Sequence, residues 1–501
     1  MTNNLLPSVN HIVVLMLENR SFDHMLGYLY ASSGNASPSG QPFEGLKGTE
    51  SNPDSSGNVS VYKIAKTNAN AYLMPGADPG EGYLATNSQL FGTTTAPTPP
   101  NAANNGFVND FSYTLGWEAK EGWSIVTSTT ANEIMGMFTP DLLPVLSALA
   151  RGYAVCDHWF GSVPTETLPN RAFVCAGTSQ GHMDDKTTSY TCPSIFGLLS
   201  KNNIGWAIYG YDAPPLTRQN FPDTTNAPES HFGEFSDFQA AAAAGTLPSY
   251  TFLEPSWDPT GNSQHPNYNV ALGEKLISDV YTALRNSPTW NQTLLIITYD
   301  EHGGCYDHVP PPLGAVPPDN SAGEYGFDFK RFGPRVPTVL VSPLIAPGTV
   351  FRVPASAMPL DHTSILKTVE QRWNLPALTA RDAAASGVGA VLTLSAARTD
   401  NVLQGVVVPI STLVPPGADK PSHLQQVHAE LVSKLPVPDK QGGMHHQMPP
   451  LKTAADCKAY IINRTNAWKA SKGSNPPSKN GPSGNAPSGH KPKPSSALHH
   501  H

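Results

Sequence analysis

Apolar residues cluster in short, unbroken runs at 11–17, 205–209, 250–253, 294–299 and 337–342. A strand with one wet face alternates apolar and polar side chains, whereas a strand covered on both faces need not. Runs of this kind predict the strands of a mostly parallel sheet. Between them lie segments with helical spacing. Residues 269–286 carry Leu272, Leu276, Val280 and Leu284 behind Asn269, a good N-cap; residues 361–373 carry Ile365, Leu366, Val369 and Trp373 behind Asp361. The alternation predicts an α/β three-layer sandwich around a mostly parallel central sheet. Further on, Val402–Val408 and Ile410–Val414 read as strands, and 421–435 as a helix through Leu424, Val427 and Leu431.

Loops occupy much of the rest. Ser, Gly, Pro and Asn fill 32–60, and 92–106 and 310–325 are rich in Pro, Gly, Thr or Asn; all three read as surface connections. The 42 glycines and 49 prolines among 501 residues argue against a bundle or coiled coil. Residues 470–501 read as a disordered tail, and its closing histidines are set aside as a possible tag. With a net charge of −8, a nucleic-acid platform is excluded on electrostatic grounds. No apolar run is long enough to cross a bilayer, so no integral membrane contact is expected. The N-terminus has no basic segment of the signal-peptide kind, which leaves a cytoplasmic location open. Five scattered cysteines form no zinc spacing; a Cys175–Cys192 disulfide and free buried thiols both remain open.

Chemistry collects where strands are predicted to end. The first run stops at Glu18-Asn19, that at 250–253 at Glu254, and that at 294–299 at Asp300-Glu301-His302. Ligands of open parallel sheets bind at the carboxyl ends of strands, although a strand end is also polar simply by being exposed. Glu18, Asn19, Asp300 and Glu301 make an all-oxygen set whose adjacent carboxylates call for one divalent ion, Mg, Ca, Mn or Zn. Val163–Arg171 places two threonines and two prolines at a predicted helix start. There a hydroxyl either caps the helix or, activated by a metal, attacks as a nucleophile. His231, His265, His302 and His308 lie in polar contexts. No HExxH, Walker, GxSxG or GxGxxG pattern occurs.

Glu18-Asn-Arg-Ser-Phe-Asp-His24 resembles the N-terminal signature of the bacterial phosphoesterases that include phospholipases C and acid phosphatases. Thr167-Leu-Pro-Asn-Arg171, Ser230-His-Phe232, Phe252-Leu-Glu-Pro255, His265-Pro266, Asp300-Glu-His-Gly-Gly304, Phe332-Gly-Pro-Arg-Val-Pro337 and Asp361-His-Thr-Ser364 follow in order. The resemblance covers about 8–376. It implies an alkaline-phosphatase-like catalytic domain there, with loop insertions, a small C-terminal appended element at 377–469 and the tail beyond.

It further implies that Glu18, Asn19, Thr167, Asp300 and Glu301 hold the metal. Thr167 would be the nucleophile, and His231 and His265 would serve the phosphate or the leaving group. Asn19, His302 and Glu81 would face the substrate. Such proteins commonly have histidine where this chain has Glu81, in Asp78-Pro-Gly-Glu81; His182 is a possible substitute for it. The implied activity is hydrolysis of a phosphate ester through a phosphothreonine, of the phospholipase C type, with a phospholipid as candidate substrate. Tyr83, Leu90, Phe91, Phe107, Phe111 and Trp117 would wall an apolar mouth or pack their own loops. The alternatives are an acid phosphatase on monoesters and a non-catalytic binding protein retaining the fold. The resemblance also implies export to the periplasm or the medium.

Overall fold

The computed structural model describes residues 4–121, 125–186, 189–438 and 448–474. Eight strands form the central sheet: β1 (His11–Leu17), β2 (Ala154–Cys156), β3 (Trp206–Gly210), β4 (Phe232–Glu234), β5 (Tyr250–Leu253), β6 (Thr293–Tyr299), β7 (Thr338–Val341) and β8 (Thr349–Val350). Their order across the sheet is β8-β2-β7-β6-β1-β5-β3-β4. β7 pairs antiparallel with both β6 and β2, and every other pairing is parallel. The apolar runs thus mark five of these strands within a residue or so of their observed ends.

Helices cover both faces, which is why the strands can be apolar throughout. On one face α3 (Pro144–Gly152) packs on α5 (Val270–Arg285); on the other, α4 (Thr167–Ala176) packs on α6 (Thr363–Trp373). Asn269 caps α5 as expected, accepting from the Ala271 amide at 3.2 Å. Asp361 serves α6 from two residues ahead, accepting from the Thr363 amide at 3.1 Å. The C-terminal pair, α7 (His423–Ser433) and α8 (Ala454–Ser474), shares a core of Ala429, Val432, Leu435, Cys457, Ile461 and Trp468. From α7, Leu424, Val427 and Leu431 reach Leu168 and Trp257.

Several expectations need correction. Two helices, α1 (Tyr83–Phe91) and α2 (Phe107–Glu121), carry the aromatic and aliphatic residues read as belonging to loops. Leu90, Phe107 and Phe111 are core residues at 0–1% exposure and wall nothing. Residues 51–53 and 58–60 pair as a small hairpin within the first loop. Neither Val402–Val408 nor Ile410–Val414 is a strand; no sheet edge is offered to them, and the Asn269 side chain binds the Ser411 and Leu413 carbonyls instead. The first part of the predicted tail, 470–474, continues α8; 475–501 lie outside the described residues. The five cysteines are free thiols, Cys175 and Cys192 included.

Candidate active site

β1 and β6 are neighbours with Leu17 opposite Tyr299, so the next residue of each, Glu18 and Asp300, leaves the sheet at the same edge. Both are buried. Asn19 turns the chain away from β1 with φ 55°, a left-handed conformation that asparagine tolerates better than most residues. Its amide donates to Asp300 Oδ1 at 2.9 Å, and the Glu301 amide donates to the same oxygen at 2.8 Å. The Gly-Gly after His302 is required by proximity: a Cβ on Gly303 would sit 2.0 Å from the Asn19 carbonyl oxygen.

Thr167 is the first residue of α4 and is 1% exposed. The motif around it is self-organising. Asn170 donates to the Val163, Thr165 and Glu166 carbonyls at 3.2, 2.8 and 3.1 Å, folding the preceding turn onto the helix. One turn after Thr167, Arg171 donates to Asp300 Oδ2 at 2.9 Å and to the Met16 and Leu17 carbonyls at 3.2 Å. The Trp257 ring covers the guanidinium at 4.7 Å. Asp185 Oδ1 accepts from the Leu168 amide at 2.6 Å. Helix α4 is therefore fastened to the end of β1, and the Thr167 hydroxyl donates to Asn19 Oδ1 at 3.1 Å.

The electrostatics are lopsided. Glu18, Asp78, Glu81, Glu166, Asp185, Asp300 and Glu301 act on one another here, and Arg171 is committed to Asp300. Burial, then the Asp300 carboxylate, raises Glu18 to about 8. Burial raises Asp185 to about 7. Burial, then Asp78, pushes Glu81 well above the usual range; burial, then Asp300, does the same to Glu301. Glu301 Oε1 is buried and accepts no hydrogen bond. An orphaned, buried carboxylate oxygen among mutually repelling carboxylates is the kind of donor that fits a hard divalent cation.

Glu81 accepts from Asn19 Nδ2, so the departure from histidine falls inside the site. His265 stands beyond it. Its Nδ1 bonds to the Pro266 carbonyl, an acceptor only, so Nδ1 carries the proton and Nε2 is the free acceptor, 3.9 Å from Glu81 Oε2. Burial lowers His265 to about 3, keeping the ring neutral. Asp78, Glu81 and His265 bring ligand atoms within 4.8 Å of one another.

Sequence reasoning misplaced two histidines. His231 bonds to the Trp206 carbonyl at 2.7 Å and stacks on that indole at 3.9 Å. Trp206 is opposite Tyr250, which is opposite Ile12, six residues before Glu18. At ~3.3 Å per residue this is the far edge of the sheet, so His231 is not brought to the cluster. His302 is buried and bonds Gln89 Oε1 at 2.6 Å, with Nδ1 3.2 Å from Glu301 Oε2; it backs Glu301 and does not face substrate. His182 sits 3.4 Å from Glu324 instead of in the site. Residues that reasoning passed over are Arg171, Asp185 and Asp78. Arg171 had a signal, four residues after Thr167 on one helix; Asp185 had none, because its role is a bond to a backbone amide.

A sheet delivers carboxylates and an amide to one edge, and a hydroxyl at the head of a helix bonds to that amide, an arrangement suited to hydrolysis of a phosphate ester. The Phosphoesterase family model matches residues 9–376, and the chain belongs to that family; it is a hydrolase acting on phosphoric ester bonds. Among its relatives, non-specific phospholipase C6 of Arabidopsis thaliana is 38% identical over 410 residues, 78% of this chain and 74% of that one. Phospholipase C A of Mycobacterium tuberculosis is 27% identical over 424 residues, 74% of each chain. The lipoteichoic acid synthase LtaP of Listeria monocytogenes is similar in fold at 13% identity and a TM-score of 0.33, over 67% of this chain and 87% of that one. An alkaline phosphatase superfamily protein of Vibrio parahaemolyticus is similar at 13% identity and a TM-score of 0.29, over 66% and 82%. No helix among the described residues is long and apolar enough to cross a membrane.

Proposed function

We propose that the protein is a metal-dependent phosphodiesterase of the phospholipase C type that works through a phosphothreonine at Thr167. The observation that carries this reading is the Thr167 hydroxyl at the head of α4, 3.1 Å from Oδ1 of Asn19, a residue whose backbone amide binds Asp300 Oδ1 at 2.9 Å. Glu18, Asn19, Thr167, Asp300 and Glu301 would hold one divalent ion. Once bound, it would supply Lewis-acid polarisation of the phosphate and acidify the hydroxyl.

The chain's own groups do the rest. Thr167 Oγ1 releases its proton to solvent and attacks phosphorus in line, and the ester bond to the alcohol breaks. Asn19 Nδ2 and the Thr167 amide offer donors to the non-bridging oxygens. Glu81, 3.9 Å from His265 Nε2 and held protonated by its burial and then by Asp78, gives its proton to the departing oxygen. Water entering on the vacated side then cleaves the phosphothreonine, regenerating Thr167.

Glu81 favours the diester. A phosphomonoester is largely a dianion near neutral pH and a diester a monoanion, so a site with a carboxyl where a histidine is common lacks a group there that could carry positive charge to hold the former. The similarity to phospholipases C agrees with this choice. Turnover of nitrophenyl phosphorylcholine against nitrophenyl phosphate tests it. The diester should be the better substrate, and faster turnover of the monoester would instead support an acid phosphatase. Mass spectrometry of acid-quenched enzyme should find phosphate on Thr167.

A further inference from the structure

The stretch Asn401–Ala418 contains no Asp, Glu, Lys, Arg or His. It forms no helix or strand, yet it is pinned at intervals. The Val402 amide donates to the Tyr281 hydroxyl at 3.2 Å, and Asn269 Nδ2 donates to Ser411 Oγ at 3.0 Å and to the Leu413 carbonyl at 2.9 Å. Val402, Leu403, Val406 and Val408 turn inward against the main core. Val407, Ile410 and Val414 turn outward, 78%, 91% and 62% exposed. A backbone held in place while aliphatic side chains project into water is costly without a partner. Pro409, Pro415 and Pro416 also remove backbone donors that a nonpolar environment would leave unsatisfied.

The strap runs along α5 from Tyr281, which holds Val402, to Asn269, which holds Ser411 and Leu413, so its C-terminal end is the one that reaches the candidate active site. Asn269 is four residues beyond His265. Just past its end, Ser422 Oγ donates to the carbonyl of Trp257 at 2.6 Å, and the Trp257 ring covers Arg171. Ile410 and Val414 flank the Ser411–Leu413 anchor and so are the outward side chains nearest the site, while Val407 lies further down the strap. A second copy of the chain is a poor match for this surface. A stable protein interface takes roughly 20–30 residues a side, and the strap offers three exposed aliphatic side chains. An uncharged, aliphatic ridge of that size suits shallow, reversible insertion below lipid headgroups.

We propose that Asn401–Ala418 is a docking strap by which Val407, Ile410 and Val414 seat the protein on a phospholipid surface and hold the mouth of the site against it. The inference rests on the phospholipase C reading for its purpose, though not for its measurement.

The test uses the full chain and phosphatidylcholine vesicles. Wild-type protein should cosediment with them. Ile410→Asp and Val407→Asp, at exposed positions, should reduce the bound fraction about tenfold while Ile410→Leu keeps it. Turnover of water-soluble nitrophenyl phosphorylcholine and the melting temperature should not change in any variant; turnover of vesicle lipid should fall with binding. Vesicle binding equal to wild type in both Asp variants overturns the proposal. So does a wild type that hydrolyses vesicle lipid without binding vesicles, or Asp variants that lose a dimer in sedimentation velocity while binding vesicles normally. If wild-type protein cleaves neither substrate but its vesicle binding still depends on Ile410, the docking strap stands and the phospholipase C reading fails.

Discussion

Thr167 and Asn19 are 148 residues apart in sequence, and the hydroxyl of one donates to the amide oxygen of the other at 3.1 Å. That contact joins the head of α4 to the end of β1 and sets where a nucleophile would meet phosphorus. Replacing Thr167 with Ala should lower kcat by about a thousandfold or more and abolish labelled phosphoenzyme, whereas Thr167→Ser, which keeps the oxygen, should retain activity within about tenfold. Near-normal turnover by the Ala variant, measured on the diester, would remove Thr167 from the chemistry.

Arg171 and Asp300 form a buried pair with side chains 5% and 0% exposed. Arg171→Gln leaves the Asp300 carboxylate without its cation, and breaking a buried pair from one side costs about 3–5 kcal/mol. Urea unfolding should show a loss of that order, with activity falling alongside because Asp300 also fixes Asn19. A loss below about 1 kcal/mol would class the pair with surface ion pairs.

Glu81→His removes the carboxyl that Asn19 Nδ2 meets. The ratio of monoester to diester turnover should rise about tenfold, chiefly through KM for the monoester, since the change puts a group able to carry positive charge where the carboxyl stood. An unchanged ratio would mean that Glu81 does not face the phosphate.

Chelation should abolish turnover, and readdition of a divalent ion should restore it. The melting temperature should fall on chelation as well, because a ligand that binds only the folded state stabilises it. Buried Glu301 Oε1 would again lack a partner. A chelated protein with full activity would eliminate the metal.

Glu274, remote from the site, caps α3 by accepting from the Val145 and Leu146 amides at 2.6 and 3.0 Å. Burial raises its carboxyl to about 8 from 4.5. A carboxyl raised on folding holds its proton more tightly in the folded state. Its stabilising contribution is complete below the unfolded value near 4.5 and is lost as pH rises through about 8. Thermal unfolding from pH 5 to 8 should therefore show a decline that is shallower in Glu274→Gln; parallel curves would refute it.

The strands at 11–17 and 294–299 were legible because a two-sided burial leaves an unbroken apolar run, and the polar residues after them were legible as strand ends. The ordered motifs supplied Thr167 as well. Helices α1 and α2 were not legible, since their Gly/Pro/Thr-rich surroundings mask a helical period that only packing of Phe107 and Phe111 makes decisive. His231 shows the opposite failure: a short polar motif marks a residue type without saying at which end of a strand it stands.

By itself the sequence determined that β1 and β6 are strands that end in carboxylates, because burial periodicity and residue type are local properties. Only the tertiary structure decided that Leu17 lies opposite Tyr299, that Arg171 is committed to Asp300, that His302 backs Glu301, and that Glu81 touches Asn19. Those depend on strand order and register, which are set by how distant segments pack together.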